Sequence, residues 1–239
     1  MIFAAGLGTR LKPLTDTMPK ALVRVGGQPL LWHVIMKLKK AGYERIVVNV
    51  HHFANQIVDY LAEQDNFGLD IRISDETEAL LETGGGIKKA LPLFDQASPI
   101  LIHNVDILSN IDFDELALAE AALDALLVVS NRQTKRYLLF NDRMILDGWT
   151  NIETGEVKSP YQGLAPSEKK LLAFSGIHVI SPAVFPLFDA MPERFGIIDF
   201  YLKYCHQCSF LGYEKKGLQL MDVGKLDTLD QAETFIKQL

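Results

Sequence analysis

Short apolar runs alternate along the chain with stretches in which apolar residues recur every three or four positions. Residues 2–5 form a brief apolar run that ends in glycines. Residues 29–41 carry Leu30, Leu31, Val34, Ile35 and Leu38 on one helical face, and Gly42 follows as a stop signal. Residues 46–50 are apolar apart from Asn49, as in a strand covered on both faces. The same reading predicts a helix over 54–64, a strand over 71–74 and a helix over 86–93. A strand over 100–103, a helix over 113–122 and a strand over 125–130 follow. After residue 130 the rhythm changes. Strands over 137–140, 144–146, 171–174 and 177–180 have no long helices between them. Helices near 182–189 and 198–208, a strand over 218–223 and a closing helix over 228–238 complete the pattern. Gly148, Asn151, Gly155, Pro160, Gly163 and Pro166 mark 148–167 as a long surface loop near a ligand.

The βαβα order predicts a Rossmann-like α/β fold of three layers. Its sheet is mostly parallel, with antiparallel additions after residue 130 and helices on both faces. A chain of 239 residues suits a single domain of this kind. Hydrophobic residues at 48% and charged residues at 23% exclude disorder and coiled coil. The net charge of −6 excludes a broad nucleic-acid-binding face and leaves room for a local basic pocket. The opening MIFAAGLGTR has neither the charged start nor the apolar core of a signal peptide, and no apolar run is long enough to span a membrane. A cytoplasmic protein without membrane or nucleic-acid partners, monomeric or a small homo-oligomer, is the expectation. The first strand is short, or the natural start lies upstream.

Chemistry concentrates in AAGLGTRLKPLTDTMPKAL. Gly6 and Gly8 follow the first strand, where glycine lets backbone N–H groups approach an anion. Thr9 and the planar fork of Arg10 come next; Lys12 and Lys20 add two more cations in an acidic chain. Such a loop suits a polyphosphate. It is not a Walker A loop, because no Gly-Lys-Ser/Thr closes it. It is not the dinucleotide fingerprint either, because Leu11 stands where the third glycine belongs.

The G-x-G-T-R loop with a Pro19-Lys20 pair ten residues on resembles the sugar-1-phosphate nucleotidyltransferases, a likeness that extends over essentially the whole chain. GGQPLLWHVIMKLKKAG, FGLDIRIS, LETGGGIKKALPL, FSGIHVIS and MDVGKLDTL resemble in particular the group acting on N-acetylmuramate 1-phosphate. The resemblance implies the nucleotide-diphospho-sugar transferase fold, with a nucleotide-binding part over 1–130 and a sugar-binding part over 131–239. It implies an NTP, UTP for this group, and a sugar 1-phosphate as substrates, with Mg²⁺ as cofactor. Arg10 and Lys20 are the implied catalytic residues. Ala4, Ala5, Gly6, Gly8 and Thr9 are expected to hold the nucleotide on one side, and Glu82, Thr83 and Gly84 on the other.

Asp106 follows the strand over 100–103, and Asp222 ends the last strand. Either aspartate alone reads as a cap or turn residue; the resemblance makes both metal ligands. Val105 between Asn104 and Asp106 departs from the family's usual Gly. The sugar is expected at Asn104, Ser175 and Gly176, while Asp199 and Tyr201 read equally well as ordinary helix residues. The Glu-Lys-Pro segment of many relatives is absent. Guanylyl or thymidylyl transfer to mannose or glucose 1-phosphate, and cytidylyl transfer to phosphocholine, remain alternatives. A non-catalytic nucleotide-sugar-binding subunit would be expected to have lost Lys20 or a metal ligand, and neither is lost. Cys205 and Cys208 lack the second pair a zinc site needs and read as neighbours one helical turn apart. The six histidines show no metal spacing.

Overall fold

Alternation along the strands sets the layers. Ile46, Val48 and Val50 belong to one hydrophobic core and Val47 to another; Leu126 and Val128 separate in the same way from Ala125, Leu127 and Val129. Successive side chains on a strand point to opposite faces, so one sheet divides two cores, each roofed by helices. The structure is a computed structural model that describes residues 1–120 and 123–239. Its first half contains β1 (Ile2–Phe3), β2 (Arg24–Val25), β3 (Gln28–Pro29), α1 (Leu30–Lys40), β4 (Arg45–Val50), α2 (Ala54–Glu63), β5 (Asp70–Asp75), α3 (Glu82–Ala90), β6 (Ile100–Asn104), β7 (Ile107–Ser109) and α4 (Phe113–Glu120). The second half contains β8 (Ala125–Ser130), β9 (Arg136–Phe140), β10 (Leu146–Asn151), β11 (Glu156–Lys158), β12 (Lys170–Ile180), α5 (Ile197–Tyr204), β13 (Phe210–Tyr213), β14 (Leu220–Asp222) and α6 (Leu229–Phe235).

Ten strands form the main sheet in the order β11-β10-β9-β12-β6-β1-β4-β5, with β8 beside β12 and β13 beside β8. β1 is parallel to both β4 and β6, and β4 is parallel to β5. β12 runs antiparallel to β6, β8 and β9. The expected mixed sheet, parallel first and antiparallel later, is therefore present. Two small ladders stand apart, β2 with β3 and β7 with β14.

Several boundaries differ from the sequence reading for physical reasons. The helix expected over 86–93 begins four residues earlier, at Glu82, and carries its three glycines inside. Residues 148–167 are not one long loop: β10 pairs with β11 in a hairpin turned at Gly155, whose φ is +73°. Gly148 is needed there because a Cβ would lie 2.9 Å from the Lys158 carbonyl oxygen. The two strands expected over 171–180 are one, with a register shift between Phe174 and His178. The helix over 182–189 is a 3-10 helix with Pro186 inside, a residue that cannot donate to an α-helical ladder. The helix expected over 113–122 is Phe113–Glu120; residues 121–122 lie outside the described residues. Among the described residues no helix is long and apolar enough to cross a membrane.

Candidate active site

β1 lies between β4 and β6: the chain runs outward from it to β4 and β5, then crosses back to β6 on its other side, which reverses the strand order at β1. In such a sheet the loops beyond the carboxyl ends diverge and leave a crevice. Here the crevice is a cavity of about 600 Å³, walled by the Ala4–Arg10 loop, by Glu82 and Thr83 of α3, and by Asn104, Val105 and Asp106 beyond β6. Two side chains shape its glycine wall. Asn49, the one polar residue of β4 after Arg45, accepts from the Ala4 and Ala5 N–H groups at 2.8 and 3.3 Å. Its own amide donates to Glu76 at 2.8 Å, and Glu76, fully buried, also accepts from the Leu81 N–H at 3.0 Å. Further along, Gly8 sits at φ +64° with its carbonyl taken by Thr15 Oγ1 at 2.8 Å. A Cβ on Gly8 would lie 2.8 Å from the Thr15 methyl, so the turn requires glycine.

The charged groups meet at one end of this cavity. Lys20 follows Pro19 into a short 3-10 turn and is buried, and its ammonium is ion-paired with Asp106. Asp222 reaches the same place because β14 pairs antiparallel with β7, setting Asp222 opposite Ile107, and the Val223 N–H donates to the Asp106 carbonyl at 2.8 Å. A Cβ added to Gly224 would be 2.6 Å from Asp222 Oδ1 and 2.8 Å from an Arg10 Nη atom. Arg10 and Asp222 therefore face each other across that glycine. Burial first, and then the Asp106 carboxylate, push the Asp222 carboxyl above its ordinary value, against the opposing pull of Lys20, Arg10 and Arg132. Asp222 Oδ1 is buried with no hydrogen-bond partner. Two neighbouring carboxylates and an orphaned oxygen fit a hard cation. Among the described residues no group of three or more His, Cys, Asp or Glu could hold a metal, so such a cation would complete its shell from substrate oxygens and water.

The second glycine stretch has a different local role from an open cradle. Gly84, Gly85 and Gly86 are all buried. A Cβ at Gly84 would strike the Phe195 ring at 2.2 Å, and one at Gly85 the Glu193 carbonyl at 2.2 Å. The Gly84 and Gly85 N–H groups donate to the Phe195 carbonyl at 2.9 and 3.1 Å. The glycines thus let α3 press against the 193–197 segment, and Glu82 and Thr83 are the residues that reach the cavity. Glu82 has φ +63° and pairs with Arg194 at 3.0 Å, while Thr83 accepts from the Ile197 N–H at 2.9 Å.

On the sugar side, Asn104 lines the cavity. Gly176, at φ +80°, backs onto it: a Cβ there would be 2.4 Å from the Asn104 amide nitrogen. Ser175 is buried outside the lining, its hydroxyl accepting from the Ile177 N–H at 3.1 Å. Tyr201 is buried with its hydroxyl on His178, and Asp199 accepts from the Gly196 N–H at 3.2 Å. Cys205 and Cys208 are free, and burial pushes the Cys205 thiol up to about 12. The sequence reading missed Asn49, Glu76 and Thr15; the single polar residue in an otherwise apolar strand was the available signal for Asn49.

A model of the nucleotidyl transferase family matches residues 1–137. The chain is 36% identical over 196 residues to the N-acetylmuramate alpha-1-phosphate uridylyltransferase of Caulobacter vibrioides, a match covering 77% of this chain and 75% of that protein. It is 47% identical over 114 residues to the protein of the same name from Neisseria meningitidis, covering 47% of this chain and 48% of that one. Among solved structures, HddC from Yersinia pseudotuberculosis complexed with GMP-PN superposes with a TM-score of 0.78 at 20% identity, over 98% of this chain and 97% of that one. That likeness is one of fold.

Proposed function

The chain belongs to the nucleotidyl transferase family, and from that premise we propose that it joins UTP to N-acetylmuramate 1-phosphate, forming a UDP-sugar and pyrophosphate. The observation that carries this reading is the meeting of Lys20, Arg10, Asp106 and Asp222 at the mouth of the glycine-walled cavity. The likeness to two uridylyltransferases named for the muramate substrate supports the choice of base and sugar.

A phosphate oxygen of the sugar 1-phosphate attacks the α-phosphorus of the nucleotide, that P–O bond forms, and the bond to the pyrophosphate oxygen breaks. The attacking group needs no base, because a phosphate monoester loses its second proton near pH ~6. This agrees with a cavity whose described lining residues include no histidine, while His103, next to Asn104 in the chain, is buried and its pKa lowered by burial to about 3. The difficulty is the approach of two anions while charge grows on the leaving group. Arg10 and Lys20 offset that charge, the first as a fork for phosphate oxygens and the second as a buried point charge. Asp106 and Asp222 would hold Mg²⁺, which when bound supplies charge neutralisation between the reacting phosphates. Ala4, Ala5, Gly6, Gly8 and Thr9 hold the nucleotide from one wall; Glu82 and Thr83 position it from the other, with Gly84 behind them letting α3 pack on Phe195. Asn104, backed by Gly176, forms the sugar-side wall.

Pyrophosphate release across four NTPs and several sugar 1-phosphates, with and without Mg²⁺, tests the proposal. Release confined to UTP with N-acetylmuramate 1-phosphate and Mg²⁺ is expected. Release with GTP and mannose 1-phosphate instead would replace it with guanylyl transfer to mannose 1-phosphate.

A further inference from the structure

A second cavity, of about 350 Å³, opens beside the first and is lined by Arg132, Arg136, Trp149, Lys158 and Phe174, with Ile198 and Asp199 at one wall. The strand register explains why these side chains converge. Leu138 pairs with Trp149 and Trp149 with Lys158, so the three share a face. Arg136 is two residues before Leu138 on the same strand, and Leu172, paired with Leu138, is two residues before Phe174. The sheet therefore presents an aromatic floor edged by cations. The Lys158 ammonium lies 5.2 Å from the Trp149 ring centre.

Most of this charge is unpaired. Among the described residues no carboxylate comes within ion-pair distance of Arg132 or Arg136, and Lys158 meets Glu156 only at 3.5 Å. Arg132 donates to the Phe174 carbonyl at 3.1 Å. Asp199, the one acid in the lining, is turned to the Gly196 N–H. In a chain of net charge −6, three cations around one cavity call for an anionic occupant.

The cavity also adjoins the reacting end. Arg132 is near enough to act on the Asp222 carboxyl. Along β12, Phe174 lines the second cavity, and Gly176, two residues on, touches Asn104 in the first. Two strand residues span about 7 Å, roughly the width of one sugar ring. A sugar 1-phosphate with its phosphate at Asp106 and Asp222 would carry its far substituents into the basic cavity.

We propose that Arg136 and Lys158, with Arg132 behind them, form the subsite for a carboxylate borne by the acceptor sugar, and so select an acidic sugar 1-phosphate over its neutral analogues. This rests on the proposed reaction and adds the residues that would set its acceptor specificity. The lactyl ether of N-acetylmuramate supplies such a carboxylate, on the ring carbon two positions from the one that bears the phosphate.

The test compares N-acetylmuramate 1-phosphate with its lactyl methyl ester, which keeps the shape and removes the charge. In the wild-type enzyme, kcat/KM for the acid should exceed that for the ester about tenfold or more, the worth of one or two charge-assisted contacts. In the double variant Arg136→Met, Lys158→Met the ratio should fall to within about threefold of one. Arg136→Lys, which keeps the charge, should retain most of the preference. A wild-type ratio near one overturns the proposal. So does a double variant that slows acid and ester equally, since the cavity would then hold the phosphate or only shape the fold. Pyrophosphate release from neither acceptor with any NTP overturns the reaction itself, and the subsite with it.

Discussion

Replacing Lys20 with methionine removes one buried positive charge and keeps most of the side-chain volume. The Lys20 side chain is 10% exposed and the Asp106 side chain paired with it 19%, so water screens this corner of the cavity only weakly. A unit charge about 5 Å from the reacting phosphates, at an effective dielectric of about 20, is worth roughly 3 kcal/mol, or about two decades of rate. Loss of the ammonium also leaves Asp106 without its partner, which repels the incoming phosphate and adds to the deficit. The unpaired carboxylate costs about 1–3 kcal/mol of stability, because Asp106 keeps partial access to water. Turnover in the Lys20→Met enzyme, followed by pyrophosphate release at saturating substrates, should fall about 100-fold or more. Thermal melting should fall by about 2–10 °C, which separates the catalytic loss from unfolding. Lys20→Arg should recover only part of the rate. The Lys20 head group is buried against Asp106, so the wider guanidinium has little room. A Lys20→Met enzyme turning over within a few-fold of wild type would remove Lys20 from the chemistry.

Asp222→Asn should leave low activity and a flattened Mg²⁺ titration, while melting without Mg²⁺ stays level or rises because repulsion from Asp106 is relieved; normal activity with an unchanged titration would take Asp222 out of the metal site. Gly86→Ala should lower the melting temperature by several degrees. The new Cβ would lie 2.7 Å from Glu76 Oε1 and 3.0 Å from the Phe3 ring, an overpacking cost of about 1–3 kcal/mol; an unchanged melt would mean that α3 shifts freely. Acid should weaken the fold early. His103 and His178 are buried and their pKa values lowered by burial to about 3, so below the unfolded-state value near 6.5 the unfolded chain takes up protons that the folded chain refuses. Stability is complete above about pH 6.5 and lost as pH falls toward 3, on the order of 1 kcal/mol per pH unit for each histidine; urea midpoints that stay level from pH 7 to 4.5 would contradict this.

What the sequence made legible was whatever repeats locally. The face of Leu30, Leu31, Val34, Ile35 and Leu38 recurs at helical spacing, and α1 buries those five residues. Ala125–Val129 is apolar throughout because each face of the strand meets a different core. Glycine misled in both directions. In the 82–86 stretch it reads as a turn, yet the helix keeps its glycines because Phe195, Glu193 and Glu76 occupy the space a Cβ would need. At Gly148 it reads as loop, yet it sits in a strand pressed by the Lys158 carbonyl. Both are close approaches from segments distant in the chain, and a single sequence carries no mark of what will press against it.

The same reasoning explains why the charged corner could be named but not built from spacing. Asp106 and Asp222 meet through the three-residue ladder of β7 and β14, too short for periodicity to signal and joined from segments far apart in the chain. Neither aspartate is distinctive alone; the resemblance, not the pattern, singled them out. Asn49 is the converse case. A lone amide in an apolar strand is visible in the sequence, and its cost when buried demands partners. The Ala4 and Ala5 N–H groups and Glu76 are those partners. The amide thus ties the glycine wall, through Glu76, to the loop before α3, and the two walls of the cavity are fixed relative to each other by two buried side chains. A site that must bring two anions together gains from such rigidity, because charges already held in position need no reorganisation when the bond forms.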